Sequence, residues 1–320
     1  MYSKKQIDKA GKTLTSKESL QKEKEQALAI LNNWRAVHAS PLNTIMNNLT
    51  FSNPNAIIVH RLKRLDSIIE KLKRFPQMRL SKMQDLGGCR IILNSIEQVY
   101  DSISNYKSSF SLYTLKKEND YIQNPKTSGY RSYHMVYQSN DSMLIEIQFR
   151  TYLQHLWATA VEVMSVHTNT SLKAIMCGTD DILRFFTLVS SLFAIKEGTP
   201  LCLNTSNDSN KLLAEIKEID NRLHILETLS TITATYNSLN ESEGYYLMEL
   251  DILTHQLEIK YFPMNQLEKA IQCYNQMEAL QIPIFDTVLV SASSFESLKR
   301  AYPNYFLDAN QFITIIKEML

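Results

Sequence analysis

Residues 143–150, MLIEIQFR, decide the fold class because their side chains alternate sharply between apolar and polar from Ile145 onward. Alternation with a period of two is typical of a β-strand whose faces lie in different environments. The apolar face holds Met143, Ile145, Ile147 and Phe149. The polar face holds Glu146, Gln148 and Arg150. This stretch therefore predicts a strand that sets a carboxylate, an amide and a guanidinium side by side.

Three further stretches predict strands of the same sheet: QDLGGCRIIL (84–93), SLYTL (111–115) and YHMVYQ (133–138). Helices are predicted for most of residues 1–50, for residues 56–75 and for the segments that follow residue 150. We therefore predict an α/β (α+β) fold in which a mixed sheet of about five strands is flanked by helices.

The stretch EGTPLCLNTSNDSN (197–210) is rich in Gly, Pro, Asn and Ser and predicts a loop at a domain boundary. A long helix over 211–238 follows, and then patterns of a second, small α/β unit. The predicted organisation is N-terminal helices at 1–50, the main α/β domain at 51–200, a loop and linker helix at 201–240, and an accessory domain at 241–320.

Bulk composition excludes several classes of protein. The 320 residues are 44% hydrophobic with a formal net charge of +1, which predicts a globular chain without global attraction to nucleic acid or membranes. The four cysteines form no CxxC pair, so they predict free thiols in a reducing compartment and no zinc site. No signal-peptide core and no apolar run near the length of about 20 residues that spans a membrane is visible. We therefore expect a cytoplasmic protein.

Positive charge concentrates in residues 61–82, RLKRLDSIIEKLKRFPQMRLSK, where eight basic residues stand against two acidic ones. On a helix over 56–75, one face would carry Lys63, Ser67, Lys71 and Arg74. A cationic stripe with a hydroxyl suits a polyphosphate, and it equally suits an ordinary solvated surface.

Two carboxylates stand where a chain can approach a ligand. Asp85 precedes Gly87 and Gly88, whose missing side chains let the backbone come close to a bound molecule. Glu146 lies on the strand quoted first. If the two side chains converge, they could hold Mg²⁺ beside the cations that phosphoryl-type transfer needs. Taken singly, an Asp before two glycines is also an ordinary turn residue.

The loop YIQNPKTSGYRSYH (121–134) contains no acidic residue and leads into a predicted strand. Tyr130 offers a ring that can stack on a base, and Lys126 and Arg131 offer contacts to phosphate. The loop is therefore a candidate nucleotide-binding element beside Glu146.

Together, RLKRLDSIIEKLKR, DLGGCRI, YIQNPKTSGYRSYH and IEIQFRT resemble, in sequence, spacing and order, the synthetase domain of the RelA/SpoT family. The resemblance covers roughly residues 45–165. It implies a nucleotidyltransferase-like fold and transfer of a pyrophosphoryl group from ATP to the ribose 3′-hydroxyl of GDP or GTP, which makes (p)ppGpp.

The resemblance also implies a role for each matching residue. Asp85 and Glu146 would be the catalytic carboxylates that share Mg²⁺, and Glu146 would activate the 3′-hydroxyl. ATP would be held by Arg61, Lys63, Ser67, Lys71, Arg74 and Arg90, with Arg61 and Arg90 sandwiching the adenine. The acceptor nucleotide would be held by Lys126, Tyr130, Arg131, His134, Gln148 and His155. Arg150 would support the strand and its carboxylate.

Other features leave more than one function open. No His-Asp dipeptide occurs, so the hydrolase half of the long family members is not expected. One alternative is a toxin-type member that modifies the 3′ end of tRNA, with the C-terminal domain as a regulatory or neutralising module. Another is a non-catalytic nucleotide-binding protein. The segment AYPNYFLDANQF (301–312) could dock on the catalytic domain or form ordinary core. The helix over 211–238 could join copies into a homo-oligomer.

Overall fold

A computed structural model describes residues 2–168, 180–232, 234–237, 243–279 and 284–320. The helices formed by these residues are α1 (Lys4–Thr15), α2 (Gln21–Ala36), α3 (Ala39–Ser52), α4 (Leu65–Arg74), α5 (Ile96–Ser109), α6 (Tyr152–Thr168), α7 (Asp180–Glu197), α8 (Ser209–Leu223), α9 (Ile225–Thr231), α10 (Leu267–Ala279), α11 (Phe295–Ala301) and α12 (Asn310–Met319). Short 3₁₀ helices cover Leu80–Lys82 and Met264–Gln266. The strands are β1 (Ile57–Leu62), β2 (Gly87–Leu93), β3 (Thr114–Asp120), β4 (Tyr133–Gln138), β5 (Leu144–Thr151), β6 (Gly244–Asp251), β7 (Leu257–Pro263) and β8 (Phe285–Ala292).

These eight strands form one mixed sheet in the order β3-β4-β5-β2-β1-β8-β6-β7. β2 and β5 run parallel at its centre, and the other neighbours are antiparallel. The predicted mixed α/β sheet is thus confirmed. The β2–β5 register sets Gly88 opposite Glu146 and Arg90 opposite Gln148. The glycine-containing motif and the Glu146 motif therefore lie side by side.

The helix predicted over 56–75 is wrong in its first part. Ile57–Leu62 form the strand β1, and α4 begins only at Leu65. The β-branched side chains at the start of this stretch favour a strand, and pairing with β2 over six residues holds it there. The helical spacing of Leu65, Ile68 and Leu72 is interpreted correctly, because all three lie on α4 and are buried.

The C-terminal strands extend the sheet of the main domain instead of forming a second sheet. β8 pairs with β1 through only two residue pairs, His60 with Ser291 and Arg61 with Val290, whereas β6 and β8 pair over eight. A hydrogen bond of 2.9 Å between Ser291 Oγ and His60 Nδ1 adds to this short seam. The seam lies directly beside Arg61, a predicted ATP contact.

A shared hydrophobic core fixes the C-terminal segment to the main domain. Phe312 on α12 lies 6.1 Å from Phe186 and 6.2 Å from Phe193, both on α7, between ring centroids. A second core beneath β2, β4 and β5 buries Ile91 and Ile147 completely. Because protein interiors are close-packed, residues 243–320 cannot leave as a body without opening the first core.

The long helix predicted over 211–238 is broken. α8 ends at Leu223, and His224 adopts a left-handed backbone conformation (φ 51°) before α9 begins at Ile225. Residues 233 and 238–242 lie outside the described part of the chain. Within the described residues, no helix is long and apolar enough to cross a membrane.

Candidate active site

A pocket of about 80 Å³ lies over β1, β2 and β5. Six of the predicted site residues line it: Arg61, Lys63, Asp85, Arg90, Glu146 and Gln148. They face the same side because alternate residues of a strand share a face and because β2 and β5 are in register.

Asp85 is held between two lysines. Lys71 Nζ donates to both carboxylate oxygens at 2.9 Å, and Lys63 Nζ lies 3.1 Å from Oδ2. Burial lowers the pKa of Lys63, with Asp85 acting in the opposite direction. Lys63 follows β1 and Lys71 lies on α4, so two different elements direct ammonium groups to one carboxylate. This arrangement concentrates positive charge where a polyphosphate would bind.

Glu146 belongs to a closed ring of hydrogen bonds. His134 Nδ1 lies 3.0 Å from Glu146 Oε1, and Gln148 Nε2 donates to Oε2 at 2.8 Å. Arg150 donates to Gln148 Oε1 and to Tyr130 Oη, at 2.8 and 3.3 Å. The Tyr130 hydroxyl lies 2.9 Å from His134 Nε2 and completes the ring. The carboxylate is therefore fixed in orientation before any ligand binds.

The same ring sets the charge of its members. Burial opposes ionisation of Glu146, but hydrogen bonds from His134 and Gln148 outweigh it and lower the pKa of Glu146 to about 2. Burial also opposes protonation of His134, yet Tyr130 and Glu146 raise its pKa to about 9. Glu146 is thus an anion and His134 a cation across the neutral pH range.

A tight turn presents the aromatic loop. The Gly129 N–H donates to the Lys126 carbonyl at 2.8 Å, and Gly129 has a left-handed φ of 88°. A Cβ at this position would lie 3.0 Å from Ser190 Cβ and 3.1 Å from the Trp157 ring, so the turn requires glycine. The turn sets Lys126 Nζ 5.1 Å from the centre of the Tyr130 ring. The predicted acceptor residues Lys126, Tyr130 and His134 therefore adjoin Glu146.

The pocket holds unbalanced positive charge at its other end. Arg90 Nε is buried without a hydrogen-bond partner among the described residues. Burial and the nearby Arg150 and Arg61 lower the pKa of Arg90 to about 9. A bound anion or a flat aromatic ligand would relieve this repulsion.

Tyr302, from the C-terminal segment, completes the pocket wall beside Arg61 and Arg90. Its side chain is 3% exposed, and its hydroxyl donates to the His60 carbonyl at 3.3 Å. Burial raises the pKa of Tyr302 to about 12, although both arginines act in the opposite direction. A neutral phenol therefore borders the predicted adenine end of the pocket.

The central segment is similar to a known family of proteins. Residues 60–168 match the family model described as "Region found in RelA / SpoT proteins". We call residues 60–168 the RelA/SpoT region after the model that they match. It contains the whole pocket except Val59 and Tyr302.

Two curated relatives of the RelA/SpoT region come from Bacillus subtilis (strain 168). GTP pyrophosphokinase YjbM is 32% identical over 116 residues, which are 33% of this chain and 54% of YjbM. GTP pyrophosphokinase YwaC is 32% identical over 119 residues, 33% of this chain and 56% of YwaC. The chain thus spans about half the length of these relatives. The crystal structure of the small alarmone synthetase 1 from Bacillus subtilis bound to its product pppGpp aligns with a TM-score of 0.42 and 24% identity, over 56% of this chain and 94% of that one.

The donor chemistry of the RelA/SpoT region fits a magnesium ion. Asp85 and Glu146 bring carboxylate oxygens to one pocket, and the described residues contain no cluster of three or more acidic, His or Cys side chains that would form a fuller cage. Mg²⁺ is commonly held by one or two carboxylates, with water and substrate phosphates in the remaining positions. Asp85 and Glu146 are therefore the two described pocket residues that could hold such an ion.

Eight predicted site residues do not line the pocket. Lys71, Lys126, Tyr130 and His134 lie next to it through the contacts described above, and the other four lie elsewhere. Arg131 is buried elsewhere and donates to Ser190 Oγ, the Ile122 carbonyl and Cys202 Sγ. His155 Nε2 lies 3.0 Å from the Arg300 carbonyl, against α11. Ser67 and Arg74 lie on α4, half-buried and exposed respectively. Arg131 therefore connects the aromatic loop to α7. His155 contacts the C-terminal segment at α11.

We expect the ionisation of Glu146 to appear in the stability of the protein. A carboxylate with a lowered pKa stabilises the fold above its unfolded value, near 4.5, and loses this effect as pH falls through about 2. The difference in unfolding free energy between wild type and Glu146→Gln should therefore shrink by about 2 kcal/mol from pH 5 to pH 3. Urea titrations at both pH values measure it, and a constant difference would contradict the buried anion.

Proposed function

We propose that the protein transfers a pyrophosphoryl group from ATP to the 3′-hydroxyl of GDP or GTP and so makes (p)ppGpp. The observation that carries this proposal is the convergence of Asp85, Glu146, two lysines and two arginines on one pocket. The match of residues 60–168 to a RelA/SpoT region and the names of the curated relatives support the same reaction.

In the proposed reaction the 3′-oxygen attacks the β-phosphorus of ATP. A bond forms between these two atoms, the bond from the β-phosphorus to the bridging oxygen of the α-phosphate breaks, and AMP leaves. Glu146 accepts the hydroxyl proton, in the orientation that His134 and Gln148 impose. Lys63 and Lys71 hold the phosphates, and Arg61 and Arg90 hold the adenine. Mg²⁺ bound at Asp85 and Glu146 would neutralise phosphate charge.

The acceptor guanosine is proposed to lie against the aromatic loop. Tyr130 offers a ring beside the cationic Lys126, and Gln148 offers an amide on the pocket wall. The hydrogen bonds that join Tyr130 to His134 and His134 to Glu146 tie this binding surface to the proton acceptor. A base stacked on the loop would therefore present its ribose to Glu146.

We further propose that the C-terminal segment restrains the reaction. Tyr302 borders the two arginines that the family resemblance assigns to adenine, and its hydroxyl is tied to the backbone of β1. Because α12 shares a close-packed core with α7, release of the pocket requires a local shift of α11 and Tyr302 and not departure of the whole segment.

A second candidate acceptor is the 3′ end of tRNA, and an exposed cationic face favours it. α1 exposes Lys5, Lys9 and Lys12, and Asp8 joins α1 to the 3₁₀ helix Leu80–Lys82 by accepting the Ser81 N–H at 2.9 Å. Neighbouring cations on that side, all exposed, are Lys73, Arg74, Arg79 and Lys82. Such a face beside the phosphate pocket suits an RNA backbone.

The acceptor test offers GDP, GTP or bulk tRNA separately to the full-length protein with Mg²⁺ and γ-phosphate-labelled ATP. We expect label to move to GDP or GTP, to fall at least about a hundredfold in Asp85→Asn, and to persist in Asp141→Asn, an exposed carboxylate outside the pocket. Transfer of label to tRNA alone would mean that tRNA, and not GDP or GTP, is the acceptor. No transfer by wild type or by Tyr302→Ala would leave a nucleotide-binding protein and contradict the proposal.

A further inference from the structure

The first N–H group of α4 is satisfied by a carboxylate from the C-terminal segment. An α-helix leaves its first N–H groups without partners inside the helix. In α4 the Leu65 N–H donates to Glu278 Oε1 at 2.8 Å, although Glu278 lies on α10, 213 residues further along the chain. Glu278 also accepts from Arg35 and from the Tyr274 hydroxyl. The side chains of Arg35 and Glu278 are only 2% and 8% exposed, so this contact lies inside the protein.

A second carboxylate pairs with Arg64, the residue just before α4. Arg64 directly precedes α4 and forms an ion pair with Asp286 on β8. The Tyr305 hydroxyl donates to Asp286 Oδ1 at 2.7 Å and fixes the carboxylate. Burial opposes the charge of Arg64, but Asp286 and Tyr305 outweigh it and raise the pKa of Arg64. Both residues at the start of α4 are therefore held by the C-terminal segment.

The other end of this stretch reaches the pocket. Lys63 directly precedes Arg64, and Lys71 lies on α4; both ammonium groups meet Asp85. The stretch 63–71 is thus fixed between Asp85 on the pocket side and two carboxylates of the C-terminal segment. We propose that Glu278 and Asp286 are positioning residues, which hold α4 so that Lys63 and Lys71 can bind the phosphates of ATP.

This inference rests on the proposed function and gives the C-terminal segment two opposite effects. Tyr302 narrows the adenine end of the pocket, while Glu278 and Asp286 build its phosphate end. A carboxylate at a helix N-terminus stabilises the first turn, and removal of one partner of a buried pair leaves the other uncompensated. Substitutions at Tyr302 and at the two carboxylates should therefore change ATP binding in opposite directions.

The test compares Glu278→Gln and Asp286→Asn with the control Glu215→Gln, all in the full-length chain carrying Tyr302→Ala. Glu215 pairs with Arg184 between α7 and α8, so its variant removes an ion pair without touching α4. Hydrogen exchange of a peptide covering 63–72, read by mass spectrometry, should quicken about tenfold in the two test variants only. The KM for ATP should rise about five- to tenfold, with kcat changed less than about twofold.

The readouts separate this inference from the proposed reaction. Unchanged exchange at 63–72 in both test variants would overturn it, and so would faster exchange with an unchanged affinity for ATP. Should Glu278→Gln fail to fold, Asp286→Asn, whose side chain is 20% exposed in wild type, decides by the same criteria. If no variant transferred label, the reaction would be wrong, and binding of a non-hydrolysable ATP analogue would replace KM.

Discussion

Replacing Glu146 with glutamine is expected to lower the rate of pyrophosphoryl transfer by about a thousandfold. Glutamine keeps the shape of the side chain but can neither accept the hydroxyl proton nor contribute an anionic ligand to Mg²⁺. It also leaves the protonated His134 without its anionic partner at 3.0 Å. Because the alkoxide character of the 3′-oxygen develops only as the reaction proceeds, the loss should fall on kcat more than on the KM for either nucleotide.

Glu118→Gln is the matched control for this loss. Glu118 lies on β3 of the same sheet and accepts hydrogen bonds from Lys107 and Tyr133, so it resembles Glu146 in chemistry but lies outside the pocket. The control should transfer label at close to the wild-type rate. A Glu146→Gln protein that folds and stays within about tenfold of wild type would remove Glu146 from the role of proton acceptor.

The centre of this site is predictable from local sequence because strand alternation and strand register determine which side chains share a face. The period of two in MLIEIQFR puts Glu146 and Gln148 on one face, and β2 beside β5 brings Gly88 and Arg90 to the same level. Lys63 reaches Asp85 even though it follows the strand β1 and does not lie in a helix, contrary to the prediction over 56–75. The predicted grouping of charges is therefore correct despite the error in secondary structure, because Lys63 after β1 and Lys71 on α4 both contact Asp85.

Other features depend on contacts between distant parts of the chain, which one sequence does not reveal. Arg131 and Tyr130 are adjacent in the sequence, yet their side chains diverge because the turn at Gly129 sends one toward α7 and the other toward His134. The pairing of β1 with β8 involves two residue pairs that are 231 and 229 positions apart, and no local pattern specifies it. The segment AYPNYFLDANQF combines both interpretations drawn from the sequence, since Tyr302 borders the pocket while Phe306 and Phe312 are core.

The burial of Glu278 likewise depends on contacts that one sequence does not reveal. Its position on an amphipathic helix predicts a solvated acid, since charged residues are seldom buried unless they are paired. Only the tertiary structure brings Arg35, Tyr274 and the first N–H of α4 around it. Sequence patterns therefore reveal residues whose role depends on their own strand or loop. They miss residues whose role depends on contact with an element far away in the sequence.

Replacing Tyr302 with alanine is expected to raise kcat/KM for ATP at least about tenfold. Loss of a buried aromatic ring destabilises the restrained arrangement by about 3 kcal/mol. Because each 1.4 kcal/mol changes a population ratio tenfold, the gain in kcat/KM could reach about a hundredfold. The substitution also removes the side chain that borders Arg61 and Arg90. Tyr302→Phe, which keeps the ring and loses only the hydrogen bond to the His60 carbonyl, should show a much smaller gain.

Phe306→Ala separates specific release from general loosening of the C-terminal segment. Phe306 is as deeply buried as Tyr302 and packs against Tyr236 and Phe295, away from the pocket. Its loss should lower the melting temperature about as much as Tyr302→Ala while leaving kcat/KM for ATP near wild type. Equal gains in both variants would mean that the whole segment restrains the enzyme by its packing. No gain in Tyr302→Ala would mean that the phenol forms part of the ATP site and does not obstruct it.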